Sequence, residues 1–101
     1  MPPARTLTLE GELFGSIIQR LRVNRGWNLI KFAQRSGMSR YYLGLLERGQ
    51  NTPSFATLFE LADVFGVKAS DIIREIENAR PAPEPDKTLP GPGPGEFVPP
   101  Q

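Results

Sequence analysis

The sequence predicts an all-α fold of five short helices set between two arms of different composition. Three observations lead there. Apolar residues recur at helical spacing through the middle of the chain, glycines and Ser or Asn caps punctuate that pattern, and the composition changes abruptly at Pro81. A chain of 101 residues is expected to hold one domain, over residues 10–80, with an arm at 1–9 and a tail at 81–101.

The first helix is predicted from about Glu10 to Arg25. Phe14, Ile17, Ile18 and Leu21 form one apolar stripe at i, i+3, i+4 and i+7, and Gly26 closes it. Asn28 reads as the N-cap of a second helix reaching about Arg35, with Trp27 and Phe32 as a hydrophobic staple across its start. Gly37 interrupts the chain. Ser39 caps a third helix, stapled by Met38 and Leu43 and ended by Gly49. The fourth follows Pro53-Ser54 and carries Phe55, Leu58, Leu61, Ala62 and Phe65 before Gly66. The fifth runs from about Ala69 to Ala79, capped by Lys68 or Ser70, with Ile72, Ile73 and Ile76 on one side.

The arms differ from this middle. Residues 81–101 hold eight Pro and three Gly, a composition that resists helix and central strand and favours extended chain. Thr6-Leu7-Thr8-Leu9 alternates as a short strand would.

Composition excludes several functions. There is no Cys and no His, which removes disulfides, thiol nucleophiles, the usual zinc ligands and the commonest general base. No metal site, cofactor or enzymatic activity is expected. No apolar run approaches the ~18 residues of a membrane span, and the N-terminus lacks a signal-peptide core. A cytoplasmic protein without membrane contact is the expectation.

Net charge is +1, but it is unevenly spread. Residues 1–15 sum to −1. Residues 16–50 carry Arg20, Arg22, Arg25, Lys31, Arg35, Arg40 and Arg48 against Glu47 alone, or +6, and residues 51–101 sum to −4. Such segregation suits either a solvated surface of mixed sign or a face turned toward a polyanion.

Helices two and three, joined tightly at Gly37, have the layout of a helix-turn-helix, in which the second helix enters the major groove N-terminus first. Around them stand Phe14-Gly15, Ile18, Leu21-Arg22, Gly26-Trp27-Asn28, Phe32-Ala33, Ser36-Gly37-Met38-Ser39, Tyr42-Leu43, Leu46-Glu47-Arg48-Gly49, Pro53-Ser54, Leu61-Ala62 and Gly66-Val67. With these, residues 14–76 resemble the Cro and phage-repressor (XRE) family, most specifically in the run SRYYLGLLERGQNTPS from Ser39 to Ser54. The resemblance implies a five-helix lambda-repressor-like domain that binds double-stranded DNA, and it covers neither arm.

Site residues follow from that resemblance. The first, second and sixth residues of helix three would reach base edges; here they are Arg40, Tyr41 and Leu45, with Gly44 beside them. Arg40 can take guanine O6 and N7, or a phosphate. Tyr41 can meet a base or a phosphate, and Tyr42 is expected at the backbone edge. Leu45 stands where relatives often carry a polar residue; it suits a thymine methyl or a protein surface. Asn28, Lys31, Ser39, Arg48 and Asn51 complete the expected DNA-binding set. Leu29 departs from the family, which often has Gln there as a phosphate clamp. Arg22 and Glu47 are implied to form a partly buried ion pair.

The resemblance implies a transcriptional regulator acting as a dimeric repressor. A homodimer is expected because one short helix reads few base pairs. Val64, Ile72, Ile73 and Ile76 are its candidate interface, with core packing as the alternative. Rival readings are an antitoxin that binds a toxin through its arm, and a protein-interaction adaptor that kept the fold. The tail, through Phe97 and Val98, is either mobile, docked near the N-terminal arm, or a contact for a protein partner.

Overall fold

A computed structural model describes residues 7–82. Five helices follow one another: α1 Leu9–Asn24, α2 Leu29–Ser36, α3 Arg40–Glu47, α4 Phe55–Phe65 and α5 Ala69–Ala79. No strand occurs among the described residues.

Side-chain caps open four of the helices. Thr8 Oγ1 accepts from the Gly11 N–H at 2.9 Å, and Asn28 Oδ1 from that of Lys31 at 2.8 Å. Ser39 and Ser54 accept from Tyr42 and Thr57 at 3.1 Å each. Each satisfies an N–H that the first helical turn leaves without a partner. Lys68 precedes α5 without a side-chain cap; Asp71 in the first turn complements the helix dipole instead.

The cap at Thr8 corrects the strand expected over Thr6–Leu9. Leu7 and Thr8 lie outside any strand, and Leu9 already opens α1. A threonine hydroxyl paired locally with Gly11 needs no partner strand. Residue 6 and the tail segment with Phe97 and Val98 lie outside the described residues.

All five helices contribute to one core. Phe14, Ile17 and Ile18 of α1 meet Phe32 of α2, Leu43 and Leu46 of α3, Leu58, Leu61, Ala62 and Phe65 of α4, and Ala69 and Ile72 of α5. The Trp27 and Phe65 rings stack at 5.6 Å, and Phe32 tilts against Phe65 at 5.1 Å. The staple predicted across the start of α2 is present, with Trp27 and Phe32 centroids 6.5 Å apart.

One open alternative and one expectation come out the same way for one reason. Ile72 takes the alternative of core packing, 3% exposed within its own chain, and Val64 and Ile76 pack half-buried against that core. Phe55, expected on the apolar stripe of α4, is 76% exposed. Helical spacing defines an apolar face but does not say which part of it another helix covers.

Where α1 crosses the end of α3 the backbones approach closely. A Cβ on Gly15 would lie 2.6 Å from the Glu47 carbonyl oxygen and would also collide with that of Leu46. Glycine at this position sets how near α3 comes to α1.

Candidate nucleic-acid interface

α2 ends at Ser36 and is joined to α3 by Gly37, Met38 and Ser39. Gly37 ends α2 at φ 72°, a left-handed conformation that costs a residue bearing a Cβ far more than glycine. The Ser36 hydroxyl accepts from the Met38 N–H at 3.1 Å, which holds the turn, and Ser39 then caps α3.

At 100° per residue, Leu43 and Leu46 fix the inner side of α3, and both are fully buried. The opposite side carries Arg40, Tyr41, Gly44 and Arg48, with Leu45 half-buried at its edge. Tyr41 is 75% exposed, whereas Tyr42 lies partly buried against the core.

Arg40, Tyr41, Gly44 and Arg48 line one shallow hollow together with Leu29 of α2. The structure therefore places the departure at Leu29 inside this face, as an apolar wall rather than a polar clamp. Asn28 and Lys31 line a separate hollow along α2, with Trp27, Ile30, Gln34 and Arg35. Asn51 is half-buried in the loop after α3, and neither hollow includes it.

Charge on these faces stays uncompensated. The carboxylates that form ion pairs lie elsewhere: Glu75 with Arg20, Glu10 with Arg80, Asp71 with Arg74, and Glu47 with Arg22. Among the described residues no carboxylate bridges to Lys31, Arg40 or Arg48. A surface of this kind attracts an anionic partner. Among the described residues, no group of three acidic, His or Cys side chains gathers where a metal ion could sit.

The face is held rigidly from behind. Arg22 of α1 donates through Nε and Nη2 to the two Glu47 carboxylate oxygens, at 2.7 and 3.0 Å. Its Nη1 donates to the Trp27 carbonyl at 2.8 Å. The Arg22 and Glu47 side chains are 14% and 6% exposed, so this two-pronged pair is well shielded from water.

Sequence reasoning missed the arginines around Trp27. Arg35 lies over that ring at 5.6 Å, and Arg25 over both Trp27 and Phe65 while donating to the Phe65 carbonyl. Arg35 follows Trp27 by eight residues, close to two helical turns, and that spacing was the available signal.

Comparison with known proteins agrees with this geometry. The helix-turn-helix family pattern HTH_3 matches residues 18–72. The chain is 40% identical over 62 residues to the uncharacterized HTH-type transcriptional regulator y4dJ of Sinorhizobium fredii (strain NBRC 101917 / NGR234), covering 61% of this chain and 80% of that protein. It is 35% identical over 65 residues to the HTH-type transcriptional regulator SutR of Escherichia coli (strain K12), covering 64% of this chain but only 36% of SutR. Its fold is similar to the crystal structure of the clp gene regulator ClgR from C. glutamicum, with a TM-score of 0.64 at 28% identity, over 71% of this chain and 94% of that one. No helix among the described residues is long and apolar enough to cross a membrane. With the family pattern matched over residues 18–72 and α3 capped and braced by the shielded Arg22–Glu47 pair, the chain belongs to the HTH_3 helix-turn-helix family.

Proposed function

We propose that the chain is a sequence-specific, double-stranded DNA-binding transcriptional regulator that works as a homodimer and represses. The observation that carries this reading is the outer face of α3. Arg40, Tyr41 and Arg48 stand there with no carboxylate partner among the described residues, on a helix held from behind by a shielded ion pair. A helix so mounted suits insertion into the major groove, where arginine reads guanine O6 and N7. The Asn28-capped N-terminus of α2 presents backbone N–H groups to a phosphate, with Lys31 alongside.

Dimerisation follows from how little one eight-residue helix can read. The surface suited to it lies between α4 and α5, where Phe55, Phe59 and Ile73 are exposed and Phe55 meets Phe59 edge-on at 5.2 Å. Asp63 and Glu77 with Lys68 and Arg74 surround this apolar centre. Two acids and two bases on one patch allow a twofold partner to present opposite charges to each. A dimer seated across a promoter site excludes polymerase, which gives repression as the output.

The test is selection of bound sites from random duplex DNA, followed by affinities for Arg40→Ala and Tyr41→Ala. Each variant is expected to lose about 1–3 kcal/mol on the selected site and much less on unrelated duplex. Two variants that keep the wild-type ratio of specific to nonspecific affinity would remove α3 as the reader.

A further inference from the structure

We propose that Arg48 is a second base-reading arginine, made so by Gly44, and that each half-site therefore carries a pair of guanines read by Arg40 and Arg48. This rests on the DNA-reading role of α3 given above. Arg48 stands at the C-cap of α3, where a long side chain leans back over the residue one turn earlier, and a Cβ at that residue would ordinarily hold it off the backbone. Here that residue is Gly44, which has none. A Cβ built on Gly44 would lie 3.1 Å from Arg48 Nη1 and 3.7 Å from both Cζ and Nη2, so the guanidinium lies across the bare backbone of residue 44. Gly44 is buried for this reason, although it sits on the outer side of its helix.

Positions 40, 44 and 48 are spaced i, i+4 and i+8, and at 100° per residue they step by only about 40° each. The guanidinium lying over residue 44 thus occupies the middle of the exposed face, flanked by Arg40 on one side and by Tyr41 and Leu45 on the other. The middle of that face meets base edges, while its margins meet phosphates. Arg48 Nε donates to Gln50 Oε1 at 3.2 Å, which orients the guanidinium plane. Nη1 and Nη2 carry no carboxylate among the described residues, and such a pair of N–H groups is what a guanine edge accepts.

Spacing sets the distance between the two guanines. Eight residues of helix separate the two arginines, about 12 Å along the axis when both side chains lean the same way. Base pairs stack at about 3.4 Å, so the two arginines address base pairs no more than about four steps apart. Leu29 and Tyr41 wall the hollow between them and favour an apolar base edge over water.

The experiment compares selected-site profiles and affinities for the wild-type chain, Arg48→Lys and Gly44→Leu, each first checked for helical content. Lysine keeps the charge but lacks the planar fork, and leucine fills the slot while leaving Arg48 in the chain. The expected wild-type profile holds two guanines within about four base-pair steps in each half-site. Both variants are expected to lose preference for the same one of these guanines by about tenfold, with affinity for unrelated duplex little changed. A wild-type profile without the guanine pair overturns the proposal. So does an Arg48→Lys profile identical to wild type, or a loss equal on every sequence, which is the signature of a phosphate contact. If the wild-type chain enriches no sequence at all, the DNA-reading role itself fails, and this inference with it.

Discussion

Replacing Gly15 by alanine is expected to destabilise the fold, against the usual effect of that change in a helix. In a helix interior, glycine to alanine contributes about 0.5–1 kcal/mol of stability. At position 15 the added methyl would stand 2.6 Å from the Glu47 oxygen and 2.9 Å from the Glu47 carbonyl carbon, and closer still to the Leu46 oxygen. Ordinary contact begins at 3.4 Å and the Leu46 oxygen is the nearest obstacle, so the end of α3 must recede from α1 by about 1.1 Å. The obstacle is backbone, which cannot swing aside as a side-chain tip can. Overpacking of this kind typically costs about 1–3 kcal/mol, and the recession also stretches the 2.7 and 3.0 Å bonds between Arg22 and Glu47. Net destabilisation of about 2 kcal/mol is expected, or about 8–16 °C in melting temperature for a domain of this size. Far-UV circular dichroism during heating measures it. Gly44→Ala is the control, because its new methyl meets only the flexible end of Arg48 at 3.1 Å and should leave stability equal or slightly higher. A Gly15→Ala protein that melts with the control would refute the close approach of α1 and α3.

Three further outcomes are expected. Glu47→Ala strands the shielded Arg22 guanidinium and should cost about 3 kcal/mol in thermal or urea unfolding, part of which Arg22→Met with Glu47→Leu should restore; an unchanged melting point would contradict the pairing. Phe59→Asp on the α4–α5 surface should shift sedimentation toward the monomer without lowering helical content, and a persisting dimer would locate the interface elsewhere. The Arg20 guanidinium, mainly by hydrogen bonding, holds the Glu75 carboxyl below its ordinary value near 4.5, so the pair stabilises the fold above that value and loses its effect as pH falls through the lowered one. The side chains are 51% and 45% exposed, so Glu75→Gln should cost at most about 1 kcal/mol at pH 7 and less in high salt. A wild-type advantage over Glu75→Gln that stays constant down to about pH 2 would refute the linkage.

Much of this fold was legible because local chemistry and tertiary packing agree. Asn28, Ser39 and Ser54 each stand one residue before a helix and do cap it, and the glycines at 37 and 66 take the left-handed conformation that ends one. Failures occurred where local pattern underdetermines the outcome. Four alternating residues at the N-terminus fit a strand, but the Thr8 hydroxyl reaches Gly11 more cheaply than a strand finds a neighbour. Ile72, Ile73 and Ile76 are equivalent in type and spacing; the approach of α1 and α4 buries Ile72 and leaves Ile73 exposed. At the candidate site, the cap of α3 and the exposure of Arg40 and Tyr41 follow from helical geometry. The course of the Arg48 side chain does not, since it depends on an empty position one turn earlier.

The three hydrogen bonds of Arg22 have a consequence for how the domain can change. One guanidinium grips the chain just ahead of α2 and again at the last residue of α3, closing about twenty residues into a non-covalent ring. Joining the ends of such a loop carries an entropic cost of about 2–3 kcal/mol, met once, when α1 is in place. The turn and α3 thus gain or lose their order as a unit, and neither is a portable peptide: at eight residues each, α2 and α3 are too short to persist alone. Outward side chains of α3 can be exchanged one at a time without opening the ring. Arg22→Lys would open it, because an ammonium has no rigid fork to hold two distant points at fixed spacing. The tilt of α3 against the rest of the domain is therefore governed by a residue on α1, behind that helix.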